Sequence, residues 1–171
     1  MKFGTEGQFE IECYRDYEPD EKNRVFGRMC LLVGGNALGN IEEFSCMLNV
    51  TGYQLEGALE KLGSLSNSEL EGLKDSAAFE LLDNAIYLGG ERTDKEVHED
   101  TLQYGIHDFL TNGGESFDGT KSFFFVSGEN VKVLFTDHEE RFHSASVPAT
   151  TFKSAISGFL GWLKRGGGSE G

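Results

Sequence analysis

The chain has 171 residues and carries 15 Lys and Arg against 29 Asp and Glu, a net charge of −14 at pH 7. The length suits one domain, and a hydrophobic content of 38% that includes 14 Phe excludes a disordered chain. So acidic a chain repels phosphate backbones and anionic lipids, which argues against nucleic-acid and membrane binding. The charge alone fits two explanations equally, faster encounter with a basic protein partner and simple maintenance of solubility.

Cysteine usage and hydropathy indicate a cytoplasmic protein. Cys13, Cys30 and Cys46 are odd in number and widely spaced, which is typical of buried reduced thiols rather than a disulfide framework. The sequence opens on a polar stretch without a signal-peptide pattern, and no apolar run approaches the roughly 20 residues of a membrane span.

The first quarter of the chain has the pattern of antiparallel strands. Residues 9–14 alternate apolar and polar side chains, and residues 24–33 are more continuously apolar, as in a central strand. The run Gly34-Gly35-Asn36 predicts a hairpin turn, since glycine adopts positive φ readily. A third strand over 37–44 would complete a meander.

The next part of the chain has apolar residues at helical spacing. One predicted helix ends near Gly63 and has an apolar stripe of Tyr53, Leu55, Ala58, Leu59 and Leu62. A second begins at an N-cap within Ser66-Asn67-Ser68, ends at 89–90 and has a stripe of Leu70, Leu73, Ala77, Leu81 and Ile86. These are the two central helices of the predicted fold.

The next segment is strongly polar. Residues 91–100 contain five acids, two bases and one Val, which predicts an exposed loop or a solvated helix. Residues 103–110 suit a short helix and a strand equally, and the glycines of 112–119 indicate a loop.

The last third predicts a second meander and a final helix. Residues 122–126 and 131–135 form a hairpin, and a turn at 137–140 leads to a third arm over 141–147. Pro148 opens an amphipathic helix with the apolar stripe Phe152, Ile156, Phe159, Leu160 and Leu163.

The order of the elements predicts an α+β fold: antiparallel β-meanders packed with two central helices and a C-terminal amphipathic helix. We expect one domain over residues 1–165 and a flexible Gly-rich tail over 166–171.

Catalytic signatures are weak throughout. The glycines of 33–39 lack the Gly-Lys-Ser/Thr of a phosphate loop, and no Cys neighbours a His. Asp137, His138 and His143 could meet across a turn, but a solvated hairpin tip explains them more simply. We predict no catalytic residues, no cofactor and no metal centre.

Surface acids are the remaining candidates for binding a partner. They are densest at 16–21, 91–100 and 137–140, and the last two segments are favoured because one is almost free of apolar residues and the other caps a hairpin. The candidate binding residues are Glu91, Asp94, Glu96, Glu99, Asp100, Asp137, Glu139 and Glu140.

Two motifs resemble a known family. Phe3-Gly4 followed by Phe9-Glu10-Ile11-Glu12, and the run Phe26-Gly27-Arg28-Met29-Cys30-Leu31-Leu32-Val33-Gly34-Gly35, are similar to the bacterial immunity protein forty-two family. That family is found beside polymorphic toxins and contact-dependent growth-inhibition effectors. The resemblance is clearest over the first 45 residues, looser over the final hairpin and the helix ending at Trp162, and not discernible between.

The resemblance implies a non-enzymatic, cytoplasmic antidote that binds the C-terminal toxin domain of its own system and blocks the active site or substrate path. Many such toxins are nucleases, whose clefts are basic. The alternatives are a secretion-chaperone-like protein that cradles an effector segment, and a small enzyme using the Asp137/His138 corner. The oligomeric state and the toxin's activity remain open.

Overall fold

Two antiparallel sheets and five α-helices form the structure, a computed structural model that describes residues 1–88 and 90–166. The first sheet contains β1 Lys2–Thr5, β2 Phe9–Arg15, β3 Phe26–Val33, β4 Asn36–Leu38 and β5 Cys46–Met47. The second contains β6 Ser122–Ser127, β7 Asn130–Thr136 and β8 Phe142–Pro148. The helices are α1 Leu48–Lys61, α2 Ser68–Gly72, α3 Asp75–Ile86, α4 Asp94–Tyr104 and α5 Ala149–Lys164, with 3-10 turns at Leu62–Ser64, Gly105–His107 and Glu115–Phe117. The predicted α+β class is confirmed.

The first sheet has the order β1-β2-β3-β4, with β5 also paired to β3. Gly34 and Gly35 form the predicted two-residue turn, with φ of 58° and 83°, between the paired residues Val33 and Asn36. The predicted third strand is too long, because the chain leaves the sheet at Gly39, where φ is 95°. Strand β1 was not predicted, since it is short and has no clear alternation.

Both sheets contribute to the main core. Phe9 of β2 and Phe124 of β6 lie on either side of Phe152 of α5, with ring centroids 4.8 and 6.3 Å from it. The predicted α5 stripe is confirmed, and the buried residues of this helix are Phe152, Ala155, Ile156, Phe159, Leu160, Trp162 and Leu163. This helix therefore joins the two sheets.

A second apolar cluster lies on the other face of the second sheet, against α2, α3 and α4. Its buried members are Leu70, Ala78, Leu82, Ala85, Tyr104, Phe123, Phe125 and Leu134. Since Phe124 belongs to the main core and its neighbours belong to this cluster, β6 is buried on both faces. The second sheet is thus the middle layer of the fold.

The central helices differ in detail from the sequence prediction. Tyr53 is 77% exposed rather than part of the α1 stripe. The predicted second helix is two helices, because α2 ends at Gly72 and the backbone at Leu73 and Lys74 is extended. The buried residues of α3 are Ala78, Leu82 and Ala85 rather than the predicted Ala77, Leu81 and Ile86, whereas Asn67 caps α2 as expected.

The structure shows which of the predicted alternatives the remaining segments adopt. Residues 91–100 lie largely in a solvated helix, α4, and residues 103–110 run from α4 through a 3-10 turn rather than forming a strand. Pro148 occupies the N-cap of α5 rather than its first turn. Gly166 closes the C-terminus of α5 by donating its N–H to Leu163, and the rest of the predicted tail, 167–171, lies outside the described residues.

Within the described ranges, no helix combines the length and apolar character needed to span a membrane.

Candidate acidic and aromatic binding surfaces

The candidate acids of 91–100 lie on the first turns of α4 and just before it. Thr93 is the N-cap: its hydroxyl accepts from the Glu96 N–H at 3.4 Å, and Glu96 accepts from the Thr93 N–H at 2.8 Å. The Thr93 backbone and hydroxyl hydrogen bonds lower the pKa of Glu96. Glu96 therefore starts the helix, as the acid of a capping box does.

Asp100 also has a structural role. Its carboxylate pairs with the Arg92 guanidinium, which in turn donates to the backbone oxygens of Asn84 at 2.5 Å and Leu88 at 2.6 Å. Arg92 thereby ties the end of α3 to the outer helix α4. Two of the five candidate acids in this segment hold local structure.

The other three acids of the segment face solvent. Glu91 and Asp94 are exposed, and Glu99 forms a loose ion pair with Lys95 at 3.7 Å, one helical turn away. Exposed pairs of this kind contribute little to stability. Glu91, Asp94 and Glu99 are therefore the α4 acids that are free to act on a partner.

Asp137 organises the turn between β7 and β8. It is only 8% exposed and accepts four hydrogen bonds, from the N–H groups of Glu139 and Arg141, Arg141 Nε and His143 Nε2, at 2.8 to 3.0 Å. The hydrogen bonds from His143 and then Arg141 hold the pKa of Asp137 far below its usual range. Asp137, one of the candidate binding residues, is therefore buried, and its carboxylate is fully hydrogen-bonded within the protein.

Glu139 and Glu140 occupy the exposed tip of the same turn. Glu139 pairs with Arg141 at 3.1 Å, and Glu140 has a φ of 58°. The tip faces the Gly34-Gly35 hairpin across an open cleft of about 280 Å³ lined by Gly35, Asn36, Ala37, Asp137, His138, Glu139, Arg141 and His143. This lining contains no Ser, Thr or Cys nucleophile.

Asp137 and His143 do meet across the turn, as the sequence allowed. His138 adds no third ligand: among the described residues, no three His, Cys, Asp or Glu side chains are arranged to hold a metal ion. Burial raises the pKa of Cys13 to about 12 and that of Cys30 to about 11, so these thiols stay protonated at neutral pH.

The structure brings together an exposed surface that the sequence analysis missed. We call it the aromatic patch: Tyr14 and Tyr17, at the end of β2, and Phe44, before β5, with exposed fractions of 42%, 58% and 68%. Only the acidic segment 16–21 was noted there. Aromatic residues interleaved with acids, in Tyr14-Arg15-Asp16-Tyr17 and Glu42-Glu43-Phe44, are the sequence signal that would have indicated it.

A series of contacts links the members of the patch. The Arg28 guanidinium lies 5.7 Å from the centre of the Tyr14 ring and donates to Asp16 at 2.9 Å. The other Asp16 oxygen accepts from the Ser45 N–H at 3.2 Å, and the Ser45 hydroxyl donates to the Tyr17 hydroxyl at 3.4 Å. Asp16 thus joins the end of β2 to the segment that carries Phe44.

Comparison with known proteins identifies the family. The family model described as Immunity protein 42 matches residues 1–162. The chain belongs to the Immunity protein 42 family. The match includes the middle of the chain, where short motifs alone showed no resemblance.

One solved structure has the same fold. The crystal structure of CdiI from Burkholderia dolosa AUO158 aligns with a TM-score of 0.62 and 17% sequence identity, over 94% of this chain and 99% of that chain. No significant match is found among curated protein sequences. The two folds are therefore alike although the sequences have diverged widely.

Proposed function

We propose that this protein is a cytoplasmic immunity protein that binds a toxin domain of a contact-dependent growth-inhibition system and neutralises it without catalysis. The family match over residues 1–162 is the observation that carries this proposal. The fold it shares with a structure titled CdiI supports the more specific system.

We propose further that the toxin domain is basic and that inhibition is steric and electrostatic. A net charge of −14 attracts a cationic surface and speeds its encounter with the protein. A nuclease cleft is such a surface, since it must neutralise phosphates. The exposed acids Glu91, Asp94, Glu99, Glu139 and Glu140 contribute to this field.

The acids with structural roles support the same function indirectly. Glu96, Asp100 and Asp137 fix α4 and the β7–β8 turn, and so hold their exposed neighbours in place. Binding residues that are already ordered lose less entropy when a complex forms.

Co-expression tests the proposal. The protein is produced with a candidate C-terminal toxin domain encoded by a neighbouring gene, and growth is compared with that of cells producing the toxin domain alone. We expect restored growth, a complex that co-purifies, and an association rate that falls at least about tenfold from low salt to 0.5 M salt. A folded, soluble protein that neither protects the cells nor binds the toxin domain contradicts the proposal.

The same experiment separates an antidote from an effector chaperone. A chaperone would bind a carrier segment of the secreted protein, whereas an antidote binds the isolated toxin domain. The readout is therefore capture of the toxin domain without its carrier.

A further inference from the structure

We propose that the aromatic patch of Tyr14, Tyr17 and Phe44, with its flanking acids, is the surface that docks on a cationic face of the toxin domain. The inference rests on the proposed function and assigns it to a place on the molecule. The proposed contact surface differs from the acid-rich segments at α4 and the β7–β8 turn, which the sequence favoured.

The clustering of exposed aromatic side chains is the first argument. Among the described residues, four aromatic side chains are more than 40% exposed, and three of them are Tyr14, Tyr17 and Phe44. Single exposed apolar residues are ordinary, whereas contiguous ones mark interaction sites. Aromatic residues are also enriched among those that contribute most to protein binding.

The second argument is that the patch is already ordered. Ser45 has a φ of 63°, an uncommon conformation for a residue other than glycine, and the Asp16 carboxylate holds it by accepting its N–H. The Asp16 N–H donates to the Phe26 oxygen at 2.9 Å, which anchors this carboxylate to β3. Phe44 is thereby presented to solvent on a fixed support, and binding need not order it.

The third argument is charge. Glu42 and Glu43 precede Phe44, are exposed, and form no ion pair with any described residue. Asp16 pairs with Arg28 at 2.9 Å, and Glu18, which follows Tyr17, pairs with Arg15 at 3.0 Å. The unpaired charge beside the rings is therefore the negative charge of Glu42 and Glu43.

These features select one occupant. Apolar anchors with an acidic rim complement a face rich in Lys and Arg, whose side chains also bind aromatic rings through cation–π contacts. A second copy of the chain would bring the same acids against each other, which is unfavourable. The cationic face of the toxin domain is therefore the partner that this surface fits.

Two full-length variants test the surface. The double variant Tyr17→Ala/Phe44→Ala removes two of the three rings. The variant Tyr53→Ala is the matched control, because Tyr53 is at least as exposed but lies on α1, outside the patch. Binding to the co-purified toxin domain, separated in denaturant and refolded, is measured by surface plasmon resonance.

We expect the double variant to raise Kd about 30-fold or more, mainly through faster dissociation, and Tyr53→Ala to stay within about twofold of wild type. Thermal unfolding checks that each variant is folded. If the double variant unfolds at a lower temperature, the binding of the single variant Phe44→Ala is the test instead. The Phe44 side chain makes no hydrogen bond, so its removal breaks none.

The outcomes separate the surface from the function. Wild-type protein that binds and protects, together with a double variant that binds equally well, overturns the surface and leaves the proposed function standing. Wild-type protein that does not bind the toxin domain overturns both. A stable dimer of the isolated protein that Phe44→Ala dissociates would assign the patch to a second copy and also overturns the inference.

Discussion

At the scale of single residues, two glycines of the first sheet, Gly4 and Gly27, lie where a side chain does not fit. A Cβ on Gly4 would lie 2.1 Å from the Phe9 oxygen, and one on Gly27 would lie 1.9 Å from the Tyr14 oxygen. Both contacts are with backbone atoms, which cannot move aside without breaking strand pairing. Glycine is therefore needed at both positions because β2 lies very close to its neighbours β1 and β3.

Gly27→Ala tests this constraint. We expect it to lower the free energy of unfolding by roughly 2 kcal/mol or more, because the new methyl group overlaps the Tyr14 carbonyl. Gly57→Ala is the control: no atom lies within 4 Å of the place that its methyl group would take on α1, and Ala is favoured over Gly there by about 0.5–1 kcal/mol. Urea unfolding measures both, and equal stability of the two variants would contradict the argument.

Residue-level burial was the least predictable property. Asp137 and Glu139 are both acids of one short polar segment, yet one is buried with four donors and the other is exposed. The difference depends on the β7–β8 register, which sets Phe135 opposite His143 and so brings that imidazole to Asp137. Composition contains no information on such a register.

At the scale of elements, the β7–β8 turn depends on one carboxylate. Asp137, at the β7 side of the tip, caps two N–H groups of the turn and pairs with the Arg141 and His143 side chains beyond the tip. Its pKa is lowered in the folded state, so its contribution to stability is present above the unfolded-state pKa of roughly 4 and is lost as pH falls through the folded-state pKa.

Asp137→Asn should therefore destabilise the protein at pH 7, and the gap in Tm from wild type should narrow as pH falls from about 5 to about 2.5. Circular dichroism melts at these pH values measure the gap. Glu139→Gln, at an exposed position of the same turn, should change stability by no more than about 0.5 kcal/mol. A pH-independent gap for Asp137→Asn would show that charge is not the cause.

Strands and terminal helix followed from local pattern, whereas the middle of the chain did not. The alternation of residues 9–14 predicted β2, the apolar run of 24–33 and the Gly34-Gly35 turn predicted β3 and its hairpin, and apolar runs on either side of polar turns predicted the hairpins of the second sheet. The residues of α3 that are buried, Ala78, Leu82 and Ala85, are those that share a cluster with Phe123 and Phe125, and this packing across the fold is not visible in the local pattern. The aromatic patch joins residues about 30 positions apart, so it could not be predicted from local sequence pattern.

At the scale of the whole molecule, the acidic field and the contact surface have separable effects. Distant exposed acids change how often a basic partner arrives, while anchoring rings change how long it stays. Glu91, Asp94 and Glu99 lie on α4 or just before it, outside the patch, so we expect them to affect the association rate.

The triple variant Glu91→Lys, Asp94→Lys, Glu99→Lys tests this division. Association with the toxin domain should slow about tenfold at low salt, with little change in dissociation, and the difference should vanish near 0.5 M salt. Glu96 is left intact because it caps α4. Stopped-flow fluorescence measures the association and dissociation rates. The amide variant Glu91→Gln, Asp94→Asn, Glu99→Gln should have an association rate between those of wild type and the triple Lys variant. An unchanged association rate of the triple Lys variant would show that these acids do not steer the partner.

The packing of β1 against α5 has a consequence for synthesis. Phe3 contacts Phe159 and Trp162, with ring centroids 6.4 and 6.2 Å from its own, so β1 packs on a helix that is made much later in synthesis. Until α5 emerges, Phe9 and its neighbours on the first sheet lack their cover, and a nascent chain holds its apolar face open. A chain that lacks α5 therefore leaves the apolar face of the first sheet uncovered.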